Sequence, residues 1–117
     1  MNKRLIDAAM GRIPADLVLK NGVIADVFTG RFIPCDVLVK DGYICGLGQY
    51  DCDNSIDVSG KFILPGLIDA HLHIESSMVT PPQYARTVVP HGVTTIIADP
   101  HEITNVCGEA GLEFMKK

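Results

Sequence analysis

Apolar and polar positions follow two different patterns in the first half of the chain. Residues 3–12 favour a helix, with a short apolar stripe that ends at Gly11 and Pro14, and this predicts a leading helix within residues 1–15. From Asp16 onward the runs are rich in β-forming residues and are separated by turn-forming residues. The pattern therefore predicts a small β module over residues 16–64.

Two turn signals divide the β-rich runs of this module into pairs. Asn21-Gly22 separates residues 17–20 from 23–27, and Asp41-Gly42 separates residues 37–40 from 43–47. Dipeptides of this kind favour the tight turns of β-hairpins. Two successive hairpins predict an antiparallel sheet, to which residues 55–58 add a short strand after a polar loop.

The hydrophobic pattern changes again at residue 65. The next run is apolar until its last residues, which is typical of a strand covered on both faces in a parallel sheet. A helix capped by Thr80, a β-branched strand over residues 93–98 and a helical run after residue 107 follow. This order of strands and helices predicts the first β/α units of a parallel fold over residues 65–117.

Chain length limits what the second region can form. A closed TIM-type (β/α)₈ barrel needs about 250 residues, whereas the chain has 117. Two parallel strands would expose edges and apolar faces that a complete barrel covers. We therefore expect a mixed α/β chain, with a small β-sandwich-like module followed by the truncated start of a (β/α)₈ barrel. Such a chain would form a homo-oligomer or depend on the missing remainder of the barrel.

Composition and charge exclude several classes of protein. Hydrophobic residues make up 47% of the chain and charged residues 21%, which is a globular composition. A net charge of −4 with 6% aromatic residues argues against nucleic-acid binding. Neither a membrane-spanning run nor a secretory signal is present, and the four cysteines lack metal-binding spacing. We expect a cytoplasmic protein that does not bind membranes.

His71 and His73 carry the strongest chemical signal, because they stand one residue apart at the end of a predicted buried strand. The side chains of residues i and i+2 of a strand point to the same side, and their Cα atoms lie about 6.5 Å apart. Their imidazoles can converge on one cation, and imidazole suits zinc, iron and manganese. His71 and His73 are therefore candidate ligands of a divalent metal. Asp69 either orients one of these rings or makes a strand-end hydrogen bond.

A second polar group follows the next predicted strand and would face the same rim. It contains Asp99, His101 and Glu102. These residues belong to the pocket or to an accessory metal, or Asp99 simply opens a loop. Glu75 is expected at the mouth of the site, where its carboxylate either accepts N–H groups of a neutral heterocycle or is solvated. Ser76 is expected to be a loop or capping residue, since no partner base is evident at readable spacing.

The motifs together resemble the bacterial and archaeal adenine deaminases of the amidohydrolase superfamily. The resemblance is carried by residues 62–106, FILPGLIDAHLHIESSMVTPPQYARTVVPHGVTTIIADPHEITNV. PGLIDAHLH marks the superfamily, whereas HIESSM followed by PHGVTTIIADPHEI is more restrictive. Upstream, ADLVLKNGVIADVFTG is similar to the small β-sandwich that precedes the barrel in that family.

The resemblance implies hydrolytic deamination of adenine to hypoxanthine and ammonia, in purine salvage, by a barrel enzyme with a divalent metal centre. His71 and His73 match the first-strand metal ligands of the superfamily. Glu75 and the group Asp99, His101 and Glu102 match motif positions near the site. The main acid/base and the remaining ligands are expected beyond residue 117, so we expect the chain alone to be inactive.

Two other interpretations stay open. One is a different cyclic amidohydrolase, such as a dihydroorotase, hydantoinase or sugar-phosphate deacetylase. Members of that group that act on carboxylated rings resemble one another in placing a cation shortly after the histidine pair, where this chain has Ile74, Glu75 and Ser76. The other is a non-catalytic fragment or binding module. A complementary chain with glutamate, histidine and aspartate at later strand ends would favour a split enzyme.

Overall fold

The structure is a computed structural model, and it describes residues 2–116. The chain divides into two compact units, Met1–Pro65 and Gly66–Lys117. Both units contain helices and strands, so the mixed α/β class predicted from the sequence is confirmed. No helix among the described residues is long and apolar enough to cross a membrane.

The N-terminal unit contains a short helix and one five-stranded sheet. The helix α1 spans Lys3–Ala9, and the strands are β1 (Leu17–Asp26), β2 (Arg31–Lys40), β3 (Tyr43–Gly48), β4 (Ser55–Asp57) and β5 (Phe62–Ile63). The strand order is β3-β2-β1-β4, with β5 also paired to β1. The β1–β2 and β2–β3 pairs are antiparallel, whereas β4 and β5 run parallel to β1. The sheet is therefore mixed, and the purely antiparallel sheet predicted from the sequence is wrong.

The leading helix predicted from the sequence is present in a shorter form. Asn2 caps α1, since its side chain accepts a hydrogen bond from the backbone N–H of Arg4 at 3.1 Å. The helix ends before Gly11, whose φ of 70° is the left-handed conformation that favours glycine. The Arg4 guanidinium donates two hydrogen bonds, of 2.8 and 3.1 Å, to the carboxylate of Asp41. This pair ties the helix to the turn that follows β2.

Asn21-Gly22 forms a bulge inside β1 rather than the predicted tight turn. The pairing of β1 with β2 shifts register between Leu19 and Gly22, and the strand continues to Asp26. Asn21 has a φ of 62°, and its backbone N–H donates to Asp36 Oδ1 at 2.9 Å. Asn21 therefore adopts the positive φ that its residue type favours, but this φ occurs in a β-bulge and not in a hairpin turn.

Asp41-Gly42 forms the turn between β2 and β3, as predicted. Asp41 has a φ of 50° and Gly42 a φ of 78°. Two consecutive positive φ values are those of the tight hairpin turns whose twist matches that of the flanking strands. The second hairpin is therefore confirmed.

The core of the N-terminal unit lies at the centre of its sheet. Val18 is fully buried at 0% exposure, and Val37 and Leu38 are each 2% exposed. Asp36 and Lys40 are also buried, and each is paired: Asp36 accepts backbone N–H groups, and Lys40 donates to Asp16 at 2.6 Å. These hydrogen bonds offset the free-energy cost of removing the two charged groups from water.

The C-terminal unit begins with a strand, a helix and a second strand. These are β6 (Leu67–Leu72), a 3₁₀ turn (Glu75–Ser77), α2 (Pro81–Val88), a second 3₁₀ turn (Val89–His91) and β7 (Val93–Ala98). β6 and β7 pair in parallel, so their carboxyl ends lie side by side. Thr80 is the N-cap residue of α2, as predicted, but its side chain makes no capping hydrogen bond.

Two further helices complete this unit. They are α3 (His101–Cys107) and α4 (Glu109–Met115), separated at Gly108, whose φ is 59°. The sequence predicted the helix over α4 but treated residues 98–103 as a polar strand end. His101 and Glu102 instead form the first turn of α3. Lys117, the last residue of the predicted helix, lies outside the described residues.

Candidate metal centre

His71 and His73 lie at the carboxyl end of β6. Their Nε2 atoms are 3.1 Å apart. The two rings are nearly perpendicular, at 85°, with centroids 4.8 Å apart. The i, i+2 spacing on a strand thus brings the two predicted ligands to one point.

His73 is oriented by the loop that follows β7. Its Nδ1 atom lies 2.8 Å from the carbonyl oxygen of Asp99. Because a carbonyl oxygen only accepts hydrogen bonds, Nδ1 carries the proton. In the neutral ring this leaves the lone pair on Nε2, the atom that faces His71. Metal-binding histidines are commonly held in this way by a backbone carbonyl or a carboxylate.

Asp99 and His101 extend this cluster. The backbone N–H of Asp99 donates to the carbonyl of Leu72 at 2.9 Å, which ties the loop after β7 to β6. Asp99 Oδ2 lies 3.0 Å from His101 Nδ1, and the His101 ring centroid lies 4.8 Å from that of His73. One ligand atom from each of His73, Asp99 and His101 falls within 4.8 Å of the others.

The chemistry of these donors fits a divalent cation. The cluster offers imidazole nitrogens, which suit zinc, iron and manganese, and a carboxylate, which suits manganese among these. His73 belongs both to the pair with His71 and to the group with Asp99 and His101. Residues predicted at two separate strand ends therefore form one cluster.

The structure places Glu75 and Glu102 beside each other. Glu75 Oε1 accepts a hydrogen bond from the backbone N–H of Glu102 at 3.1 Å. Glu75 Oε2 is buried and has no hydrogen-bond partner among the described residues. Ser76 Oγ donates to Glu102 Oε1 at 3.0 Å. Sequence reasoning missed this contact of Ser76, because its partner lies 26 residues away and on a helix that was not predicted.

Asp69 makes a strand-end hydrogen bond. Its Oδ1 atom accepts from the backbone N–H of His71 at 3.2 Å. Of the two roles expected from the sequence, orienting an imidazole or closing the strand end, the structure shows the second.

Comparison with known proteins gives one family match and three similar relatives. The profile of the Amidohydrolase family matches residues 62–117. The chain is 55% identical to adenine deaminase 2 of Desulfotalea psychrophila, over 97% of this chain and 20% of the relative. It is 53% identical to the adenine deaminase of Bacillus subtilis over 98% of this chain and 21% of the relative, and 58% identical to that of Listeria innocua over 90% and 18%. The chain spans about a fifth of the length of the curated relatives that it matches.

Several solved structures are similar in fold to this chain. A D-aminoacylase with a binuclear metal center matches with a TM-score of 0.62 and 29% identity, over 73% of this chain and 18% of that one. L-hydantoinase (dihydropyrimidinase) from Arthrobacter aurescens matches with a TM-score of 0.59 and 26% identity, over 74% of this chain and 21% of that one. About three quarters of the chain therefore shares its fold with a part of amidohydrolase TIM-barrel proteins.

Proposed function

We propose that this chain, whose residues 62–117 match the amidohydrolase family profile, supplies part of a metal-dependent enzyme that converts adenine to hypoxanthine and ammonia in purine salvage. The convergence of His71 and His73 on one point carries the proposal, since two adjacent imidazoles could supply two of the protein ligands of a catalytic metal site. Adenine is proposed as the substrate because relatives that are 53–58% identical to the chain bear the name adenine deaminase.

In this proposal, the N-terminal unit is the β module of the enzyme, and β6, α2 and β7 are the start of its barrel. Two observations support it. The parallel β6–β7 pair has the order of a β/α repeat, and the relatives are about five times as long as the chain. The second sheet of a sandwich and the later barrel strands would come from sequence outside this chain. The enzyme would act in the cytoplasm, as expected from the sequence.

His71 and His73 would hold a divalent cation of manganese, iron or zinc, with Asp99 and His101 beside them. When bound, such an ion lowers the pKa of water and so supplies a nucleophile at neutral pH. Asp99 fixes the His73 ring through its carbonyl oxygen, and the lone pair of Nε2, which faces His71, would bind the cation. Because the chain spans about a fifth of the length of its relatives, further ligands and the proton-shuttling acid would come from outside the chain.

The charge around the cluster favours a neutral substrate. The carboxylate of Asp99 contacts His101, Glu102 is the next residue of the chain, and residues 74–77 contribute no cation. An anionic ring would be repelled, whereas a purine base with N–H groups would not. The fold likeness to L-hydantoinase makes a cyclic amide the alternative substrate. Adenine is preferred because the chain is 53–58% identical to adenine deaminases and only 26% identical to L-hydantoinase.

A chimera tests this proposal. This chain would replace the matching segment of the Bacillus subtilis adenine deaminase, 21% of that protein. We expect the chimera to release ammonia from adenine with added manganese. His71→Ala or His73→Ala should reduce the rate by more than the roughly 10- to 100-fold that loss of an outer-shell partner costs.

His91→Ala is the matched control, because His91 is an exposed histidine in the second 3₁₀ turn. It should leave the rate unchanged. A folded, metal-loaded chimera that hydrolyses a hydantoin but leaves adenine intact would move the assignment to the alternative substrate.

A further inference from the structure

Three side chains join the 3₁₀ turn after β6 to the start of α3. Glu75 Oε1 accepts the backbone N–H of Glu102 at 3.1 Å, and Ser76 Oγ donates to Glu102 Oε1 at 3.0 Å. The two segments are separated by 26 and 27 residues at these contacts. We refer to Glu75, Ser76 and Glu102 as the turn–helix clamp.

The clamp satisfies a need created by the sequence of α3. The first N–H groups of a helix have no carbonyl partner within it and are commonly bound by the side chain of the N-cap residue. The N-cap residue of α3 is Pro100, which makes no side-chain capping hydrogen bond. The first hydrogen bond to the cap carbonyl comes from Thr104, at 3.1 Å. Glu75 therefore supplies from another segment the acceptor that proline lacks.

The clamp also fixes the segment that carries two members of the metal cluster. At one end, Asp99 is held to β6 by its N–H bond to Leu72 and its carbonyl contact with His73. At the other end, Glu102 is held by the clamp. The turn itself is anchored by Ile74, which is only 4% exposed and accepts the backbone N–H of Ser77 at 2.9 Å. Asp99 and His101 thus lie on a segment held at both ends.

We propose that Glu75 is a positioning residue, which holds α3 so that Asp99 and His101 stay beside His73. This inference rests on the proposed metal site and assigns Glu75 a role other than substrate contact. Glu75 Oε1 is taken by the Glu102 amide, and Oε2 is buried. Neither oxygen is presented to a ligand in this arrangement.

Hydrogen exchange of the metal-free 117-residue chain tests the clamp without reference to activity. We expect the Glu102 amide to be protected. Glu75→Ala should raise its exchange rate by about tenfold or more, because it removes a hydrogen bond to a charged group. Glu75→Gln keeps an oxygen acceptor and should restore most of the protection. Ser76→Ala should leave the amide protected, since the Ser76 hydroxyl donates to the carboxylate of Glu102 and not to its backbone amide.

Two further readouts test whether the clamp positions the cluster. The first is the nuclear Overhauser contact between the rings of His73 and His101, which Glu75→Ala should weaken and Glu75→Gln should retain. The second is a titration with cobalt(II) chloride, in which Glu75→Ala should lower the affinity by about tenfold and change the d–d spectrum. Glu113→Ala, which alters an exposed carboxylate on α4, is the control and should change neither.

The outcomes separate this inference from the proposed function. A fast-exchanging Glu102 amide in the unmodified chain would overturn the clamp. Unchanged ring contacts in Glu75→Ala, despite a freed amide, would overturn its positioning role. If amide exchange and the ring contact change as expected but the unmodified chain binds no cobalt, the clamp stands and the proposed metal site is contradicted.

Discussion

His73 has both ring nitrogens engaged, which distinguishes it from the other histidines of the cluster. Nδ1 contacts the Asp99 carbonyl, and Nε2 faces His71. We predict that His73→Ala weakens zinc binding by the chain more than His71→Ala does, because His73 is shared by both sets of donors. Isothermal titration of each variant measures the difference. An equal loss of zinc affinity in His91→Ala, which alters a histidine outside the cluster, would contradict the assignment of ligands.

Asp36 shows how one residue stabilises the N-terminal unit. Its carboxylate accepts the backbone N–H groups of Asn21 and Tyr50 at 2.9 and 3.1 Å. These two hydrogen bonds, that from Asn21 first, lower the pKa of Asp36 below its ordinary value of 3.8. Asp36→Ala would leave two backbone donors without their acceptor, and we expect it to lower the free energy of unfolding by about 1–3 kcal/mol.

The pH dependence of stability follows from the direction of this shift. Because the pKa of Asp36 is lower in the folded than in the unfolded state, its stabilising contribution is complete above about pH 4 and is lost as the pH falls through the folded pKa. Urea unfolding followed by circular dichroism between pH 2 and 7 should show this loss. Asp36→Ala should show a smaller loss, whereas Asp53→Ala, in an exposed loop, should follow the unmodified chain.

At the scale of elements, Gly111 allows α3 and α4 to approach closely. A Cβ atom at this position would lie 2.8 Å from the carbonyl oxygen of Ile103. Replacing glycine by alanine inside a helix ordinarily stabilises it by up to about 1 kcal/mol. Here the backbone would have to shift, so we predict that Gly111→Ala is destabilising, by about 1–2 kcal/mol.

Thermal unfolding of Gly111→Ala tests this sign. Asn105→Ala, at an exposed position on α3, is the control and should change the unfolding temperature little. A higher unfolding temperature for Gly111→Ala would show that helix propensity outweighs the close approach.

Local chemistry explains which elements the sequence could predict. Asp41-Gly42 formed the expected turn, and the i, i+2 spacing placed His71 and His73 together. Asn21-Gly22 encoded a positive φ but not whether a turn or a bulge would use it. That choice depends on Asp36, 15 residues away, which binds the Asn21 amide.

In the candidate site, too, some features could be predicted from the sequence and others could not. Parallel strand order was enough to predict that Asp99 and His101 face the histidine pair, because adjacent parallel strands end at one edge. The helix α3 and the contact of Ser76 with Glu102 could not be predicted. They depend on a capping group supplied by a distant turn, which local propensity does not reveal.

At the scale of the whole molecule, the sheet of the N-terminal unit leaves large apolar side chains exposed. Ile44 is 67% exposed and Leu47 is 57% exposed. Apolar surfaces of this kind favour association or further covering. This agrees with the proposal that a complete enzyme contains sequence that this chain does not.

Adenine turnover by the pure 117-residue chain, measured beside the chimera with the Bacillus subtilis relative, tests the central claim most directly. Ammonia and hypoxanthine would be quantified with manganese, iron or zinc added. We predict turnover by the chimera and none by the chain alone, because the proposed proton-shuttling acid and further ligands lie in the part of the longer relatives that this chain does not span. Metal-dependent turnover by the chain alone, or a folded and metal-loaded chimera that leaves adenine unchanged, would contradict it.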